Sequence, residues 1–388
     1  MREREFDIKS HCASGAGDRA CYKASMQRPL RVMLEASCLA DGRRDGGIGR
    51  YANQMIEALR DVPGIEVTPS IPTSPPWSEA RPARFLRAQP QVLSDAMTRH
   101  PHLVHGLGGE PVVGFPTSRQ VVTLHDVEMW RGDSAHRLYG ALLAPVIRAC
   151  AGIIAVSEST RQEAIDALRL DPARIHVVPL GVGPVFSSRP KLRDARTAEA
   201  LGLEEPYVLW VGSLRSRDPR KGLDTLLSAM EQLPGGGPPL ALVGALGPEA
   251  DRLAADAWRR HVRIVLCGQV DDTDLASLYR QAAVVVLPST HEGFGLTALE
   301  AMASAAPLVA TAVGNLPRLT LDVAVLVPPG DPEVLAAAIE SVLAEPVRAA
   351  RMRHAGVDRA SGYTWARTAA LTAEVYQKVA LRSRLSRS

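Results

Sequence analysis

"VVVLPSTHEGFGLTALEAMASAAPLVATAVG" occupies residues 284–314. It opens and closes on short apolar runs, "VVVLPS" and "PLVATAVG", each of a length suited to a buried strand. Between them stands a glycine-bearing turn, "THEGFG". The following segment, "LTALEAMA", repeats Leu296, Leu299 and Met302 at helical spacing. Strand, tight turn, helix, strand is the unit of a parallel sheet, whose neighbouring strands need a crossover helix between them.

The same alternation extends in both directions. Upstream lie "LRVMLEA" near 30, "VVTLHD" near 121, "GIIAVS" near 152 and "IHVVPLG" near 175; a second series adds "YVLWVG" near 207, "LALVG" near 240 and "VRIVLCG" near 262. Strands apolar on both faces and separated by helix-length segments imply parallel sheets covered by helices on each side. A chain of 388 residues suits two such domains. The fold class is therefore α/β, with two Rossmann-like domains.

The break falls in "GPVFSSRPKLRDARTAEALGLEEP", residues 183–206, which mixes prolines and charges with one short helical pattern. The expected organisation is a disordered tail over 1–28, a first domain over 29–188, a second over 189–362, and a final helix within 363–388 that crosses back to the first domain, with Thr364 as its N-cap. "PSIPTSPPWSEARPARF", residues 69–85, reads as a long loop inside the first domain. Its arginines raise the question of peripheral contact with anionic lipid, but the prolines argue for a solvated loop.

Composition excludes several classes. Charges of both signs are intermixed to a net +3 and aromatic residues make up only 4%, which leaves few stacking platforms for nucleic acid. No apolar run approaches the roughly 18 residues of a membrane span. Cys12, Cys21, Cys38, Cys150 and Cys267 are odd in number and fall in no metal-binding spacing, so a reducing cytoplasm is expected.

Within the opening stretch, Glu300 is the only charge between Glu292 and Arg318. A helix N-terminus offers unpaired amides and about half a positive charge, so Gly295, Leu296 and Thr297 are placed to hold a diphosphate, with Gly293 and Gly295 allowing close approach. Glu292 precedes this cradle and Glu300 follows it. Hydroxyl-bearing sugar and hydroxyl-bearing ribose flank the diphosphate of a nucleotide sugar in the same way, and a carboxylate accepts such hydrogen bonds well. A structural helix position is the plainer reading of one glutamate; an otherwise uncharged helix behind a glycine turn favours the ligand.

"EGFGLTALEAMASAAPLVAT" resembles the signature of the retaining, GT-B fold glycosyltransferases of family 4. The similarity runs from about Arg31 to Lys378 and includes "GGIGRY" (46–51), "TLHD" (123–126), "AVSESTR" (155–161), "VVPLGV" (177–182), "DPRKGLDTLL" (218–227), "LYRQAAVVVLPS" (278–289) and "LVPPGDPE" (326–333). The resemblance implies a GT-B fold with a central cleft, and transfer of a sugar from a nucleoside diphosphate, UDP or GDP, to the hydroxyl of a small-molecule or glycan acceptor.

By the same resemblance Glu292 contacts the donor sugar, Glu300 the ribose, and Phe294 belongs to the donor loop. His125, at the end of a strand facing the cleft, is implied as a sugar-binding or catalytic group beside Glu292. Arg215, Arg220 and Lys221 face the departing phosphate; Lys221 is one of only five lysines. Gly46 and Gly47 permit close approach to phosphate and acceptor, and Gln269 and Val270 match the loop that meets the base.

"DDTD" (271–274) contains a D-x-D, but it precedes "LASLYRQA", where aspartates cap helices. The cap reading is adopted and neither metal nor cofactor is expected. Two positions depart from the family pattern: Ala305 stands where glycine is usual, at a cost of about 1 kcal/mol if φ is positive there, and Arg318 stands where glutamate is common. Glu110 and Glu128 are candidates to meet a cationic acceptor. Competing readings are a nucleotide-sugar epimerase or sugar-phosphate synthase on the same fold, and a non-catalytic nucleotide-sugar-binding subunit. A dehydrogenase is disfavoured, because "SCLADGRRDGGIGRY" lacks a GxGxxG fingerprint.

Overall fold

The computed structural model describes residues 29–41, 43–44, 46–72, 81–127 and 134–385. The expected tail at 1–28, Cys12, Cys21 and Glu128 lie outside them. Six strands, β1 (Leu30–Glu35), β2 (Ile65–Ser70), β3 (Leu103–Gly106), β4 (Gln120–Leu124), β5 (Gly152–Ala155) and β6 (Ile175–Val177), form one parallel sheet in the order β2-β1-β3-β4-β5-β6. A second parallel sheet, ordered β12-β11-β10-β7-β8-β9, contains β7 (Val208–Val211), β8 (Leu240–Val243), β9 (Ile264–Gly268), β10 (Val284–Leu287), β11 (Leu308–Thr311) and β12 (Val325–Val327).

Helices α1 (Gly47–Arg60), α2 (Arg81–Arg99), α3 (Ser134–Ala149) and α4 (Glu158–Leu168) accompany the first sheet, and α5 (Asp194–Ala200) lies in the connection. The second sheet is accompanied by α6 (Leu223–Glu231), α7 (Pro248–Arg259), α8 (Asp272–Gln281), α9 (Leu296–Ala303), α10 (Leu316–Thr320) and α11 (Pro332–Ala344). Two further helices, α12 (Pro346–Ser361) and α13 (Trp365–Leu385), end the described chain.

Every residue of β3, β4, β5, β8, β10 and β11 is buried, as strands covered on both faces require; β5, β8 and β10 are apolar throughout, whereas β3, β4 and β11 also bury His105, Gln120, Thr123 and Thr311. Three strands escape the sequence reading. β3 and β12 are four and three residues long, and β2 contains Pro69, which is tolerated because β2 is an edge strand.

The reading of 69–85 as loop is corrected at both ends. Pro69 and Ser70 belong to β2, and Arg81–Phe85 begin α2. Pro82 falls in the first helical turn, where its missing N–H costs no intrahelical bond.

The chain crosses between sheets twice, and the crossings lie side by side: Val182 N–H donates to the Tyr363 carbonyl at 3.1 Å. Thr364 Oγ1 accepts from Arg367 N–H at 3.2 Å at the start of α13, which packs on α1 and β5. There Tyr376 OH meets His105 Nδ1 at 2.6 Å, and the Thr368 hydroxyl donates to the Pro179 carbonyl at 2.8 Å. One buried apolar cluster runs through both halves, including Leu34, Met55, Leu299, Trp365 and Tyr376.

Candidate active site

In the second sheet the chain starts at β7, adds β8 and β9 on one side, and then jumps back to lay β10, β11 and β12 on the other. The loops after β7 and β10 therefore diverge and leave a crevice at the carboxyl ends of the strands, the position at which open α/β sheets bind ligands. Those two loops contain Arg215, Arg220 and Lys221 on one side and residues 289–297 on the other. In the first sheet the equivalent divergence lies between β1 and β3, with Glu35, Arg43, Gly46, Gly47 and Glu110 in or beside the loops that follow them.

Gly295 is the N-cap of α9 and has φ +97°, a left-handed conformation that a side chain would strain; an added Cβ would also lie 2.8 Å from Leu316 Cδ2. Leu296 and Thr297 follow in the first turn, half-buried, where amides have no partner within the helix. Phe294 is different from its expected place at the ligand: its ring is buried against Tyr363, 6.2 Å between centroids, and its carbonyl accepts from Asn315 Nδ2 at 3.0 Å. Its contribution to the loop is packing.

The basic turn is drawn against the glycine turn by a hydrogen bond from Thr290 N–H to the Arg220 carbonyl, 2.7 Å. Arg220 is paired with Asp218, which accepts from its Nε and Nη2 at 2.9 Å each. Lys221 follows in the same 3-10 turn and is half-buried. Arg215 is exposed on the preceding loop.

The two domains touch directly at these loops. Gly293 is a glycine because the first domain approaches it: a Cβ there would lie 2.1 Å from the His125 carbonyl oxygen. Ser157 and Thr160, at the start of α4, donate to the Gly293 carbonyl at 2.6 and 3.2 Å. His125 and Glu292 are thereby brought to one interface. Since a carbonyl only accepts, the 2.8 Å contact between His125 Nε2 and Leu107 O places the proton on Nε2, and the ring rests edge-on against Tyr51, 4.7 Å between centroids.

Gly46 caps α1 and Gly47 begins it; a Cβ on Gly47 would lie 3.7 Å from Leu296 Cδ1. Two helix N-termini, one from each domain, thus meet across the cleft. Their partial positive charges add in the space between them.

Glu300 is buried, 4% exposed, but its expected dependence on a ligand for a partner is corrected. Arg50, on α1 of the other domain, donates through Nη1 to Glu300 Oε1, and Tyr279 OH donates to Oε2 at 3.2 Å. Burial raises the carboxyl pKa, while Arg50 and the Tyr279 hydrogen bond oppose the rise. Arg50 Nη2 also reaches Asp272 Oδ1 at 2.7 Å. Asp271 caps α8 by accepting from Asp274 N–H at 2.8 Å, so the aspartate cluster has the helix-capping role read from the sequence. Gln269 and Val270 immediately precede this cap, Gln269 exposed and Val270 half-buried.

Glu110 is likewise engaged: Arg43 Nη1 donates to its Oε2 at 2.9 Å and Tyr139 OH to its Oε1 at 3.1 Å. It is 1% exposed, so the notion that it meets a cationic acceptor is withdrawn. The sequence reading missed Arg50, Tyr279, Asp272, Ser157 and Thr160. Arg50 stood in a quoted motif, but its partner is 250 residues away, and no local pattern reports such a pair.

The two parallel sheets and their facing loops define the GT-B class of glycosyltransferase folds. Residues 205–345 match the family model of glycosyl transferases group 1, and residues 45–185 match that of Glycosyltransferase Family 4. The chain belongs to the family 4 glycosyltransferases.

A D-inositol 3-phosphate glycosyltransferase of Kineococcus radiotolerans is 34% identical over 256 residues, 60% of this chain and 58% of that protein. The chain thus matches less than two thirds of that relative's length. An O-antigen chain mannosyltransferase B of Escherichia coli is 26% identical across 85% of this chain and 96% of its own. Among solved structures, a sucrose-phosphate synthase of Thermosynechococcus elongatus superposes with a TM-score of 0.73 at 26% identity, covering 90% of this chain and 99% of the other. The Anabaena HepE protein in complex with UDP-glucose, at TM-score 0.69 and 20% identity over 92% of this chain and all of its own, shares the fold.

Proposed function

We propose that this protein transfers a sugar from a nucleoside-diphosphate sugar to an acceptor hydroxyl with retention of configuration. The observation that carries the reading is the buried carboxylate of Glu300 one turn inside α9, behind a helix N-terminus that meets a second one across the cleft. The diphosphate would rest on the amides of Gly295, Leu296 and Thr297, with Arg215 and Lys221 meeting the charge that grows as the leaving group departs. Glu300 would take the ribose hydroxyls, and the loop containing Gln269 and Val270 would meet the base, uracil or guanine.

Glu292 and His125 would hold the sugar at the domain interface. The acceptor oxygen attacks the anomeric carbon from the side on which the phosphate leaves; the carbon–phosphate oxygen bond breaks as the new one forms. The acceptor's proton passes to the departing phosphate oxygen. His125 has Nε2–H committed to the Leu107 carbonyl, so its part is positioning the sugar with a fixed ring. Domain closure aligns the reactants and excludes water. Neither metal nor cofactor enters this scheme, and the reducing cytoplasm is its setting. The acceptor belongs to the polyol and glycan class, in keeping with the acceptors named for the similar proteins.

Calorimetry with UDP- and GDP-sugars tests the reading. Glu300→Ala should lower donor affinity by at least about a hundredfold, the loss of two hydrogen bonds to a charged group. Affinity equal to that of the unaltered protein overturns it. Incubation of donor without acceptor should give at most slow hydrolysis; conversion to an epimeric nucleotide sugar would identify an epimerase instead.

A further inference from the structure

We propose that Arg50 is a built-in competitor of the donor's ribose, holding Glu300 while the cleft is empty and releasing it when a nucleotide enters. The proposal rests on the reading of Glu300 given above. Its basis is geometric. Both oxygens of Glu300 are engaged, Oε1 by Arg50 and Oε2 by Tyr279, and with Arg50 in place the residue is 4% exposed. A ligand approaching from the cleft finds that carboxylate closed until the guanidinium withdraws.

Arg50 has somewhere to go. Its other nitrogen is held by Asp272, whose side chain is 48% exposed at the rim, and its guanidinium carbon lies 5.3 Å from the centre of the Phe186 ring. Loss of the Glu300 bond therefore leaves the cation paired and stacked. A buried carboxylate without a partner is costly, and Arg50 supplies that partner in the empty protein as ribose hydroxyls supply it in the complex. Arg50 rides on α1 of the first domain, whereas Glu300, Asp272 and Tyr279 belong to the second. The exchange accordingly removes one tie between the domains at the moment the donor binds.

Competition and phosphate binding make opposite predictions for the same substitution, and a nucleoside without phosphates separates them. Calorimetry with UDP and GDP, and ligand-detected NMR with uridine and guanosine, would compare the unaltered protein with Arg50→Met and Asp272→Asn. Measurement at pH 8 favours the ionised form of Glu300, whose pKa burial raises. Arg50→Met should bind the preferred diphosphate and its nucleoside more tightly by a similar factor, about tenfold or more. Asp272→Asn, which leaves the Asp271 cap intact and alters a half-exposed side chain, removes the ion pair that receives the released guanidinium, so it should weaken diphosphate and nucleoside binding by a similar factor and serves if Arg50→Met folds poorly.

Weaker diphosphate binding with unchanged nucleoside binding would make Arg50 a phosphate ligand and overturn the proposal. Equal affinities in all three proteins would overturn it as well. Absence of nucleotide binding to all three would remove the donor reading itself, a pattern distinct from either of these.

Discussion

Ala305 has φ +57°, and replacing it with glycine should stabilise the second domain. Helix α9 ends in a Schellman motif: Ala306 N–H bonds the Ala301 carbonyl at 2.9 Å and Ala305 N–H bonds the Met302 carbonyl at 3.0 Å. Ala305 is the residue that must turn left-handed to close both bonds, and its Cβ costs roughly 1–2 kcal/mol in that conformation. Glycine recovers this strain but loosens the unfolded chain, an opposing effect of roughly 0.5–1 kcal/mol. The net gain is about 1 kcal/mol, or roughly 2–4 °C in the midpoint of a domain of this size. The Arg353 bond to the Ala305 carbonyl, 2.7 Å, is made by backbone and survives the change. Urea unfolding followed by circular dichroism should show a higher midpoint at unchanged slope. An unchanged or lower midpoint would refute the strain argument.

Gly293→Ala would drive a methyl group toward the His125 carbonyl and force the glycine turn away from the first domain; turnover should fall by more than tenfold while nucleotide affinity changes little, as separate kinetics and calorimetry would show, and unimpaired turnover would contradict it. Glu35 is fully buried, and burial first, then Glu110, raises its pKa from 4.5 to about 7. Its folded value lies above its unfolded one, so the native state holds the extra proton between these limits and stability falls as pH rises through that window, by about 3 kcal/mol at 1.4 kcal/mol per unit. Glu35→Gln should flatten this decline in denaturant titrations from pH 4.5 to 8; the same slope in both proteins would rule Glu35 out as its source.

The parallel architecture was legible because strands buried on both faces must be apolar throughout, as "VVVL" and "GIIA" are. β3, "LVHG", was not, since it buries His105 between Tyr376 and Thr123, contacts of 2.6 and 2.8 Å made with residues remote in sequence and with its neighbouring strand. The glycine turn, the helix behind it and the Asp271 cap were readable from local pattern alone. The engagement of Glu300 by Arg50 and of Gly293 by His125 depends on how two domains meet, and that of Glu110 by Arg43 on how two loops of the first domain meet. Such contacts join residues 67 to 250 positions apart, and helical or strand periodicity holds no trace of them. Ala305 shows the opposite case: its departure from the family pattern marks, in the sequence itself, a residue whose φ is positive.

The pairing of Val182 with Tyr363 at the two crossings gives the chain the topology of an insertion. Residues 183–363 form a cassette spliced into the first domain, whose last helix, α13, arrives only after the cassette is complete. During synthesis the first domain must therefore wait for the second before it can bury Tyr376 and Trp365. Recombination at the two adjoining splice points would replace the second domain whole, leaving the first domain and its closing helix intact.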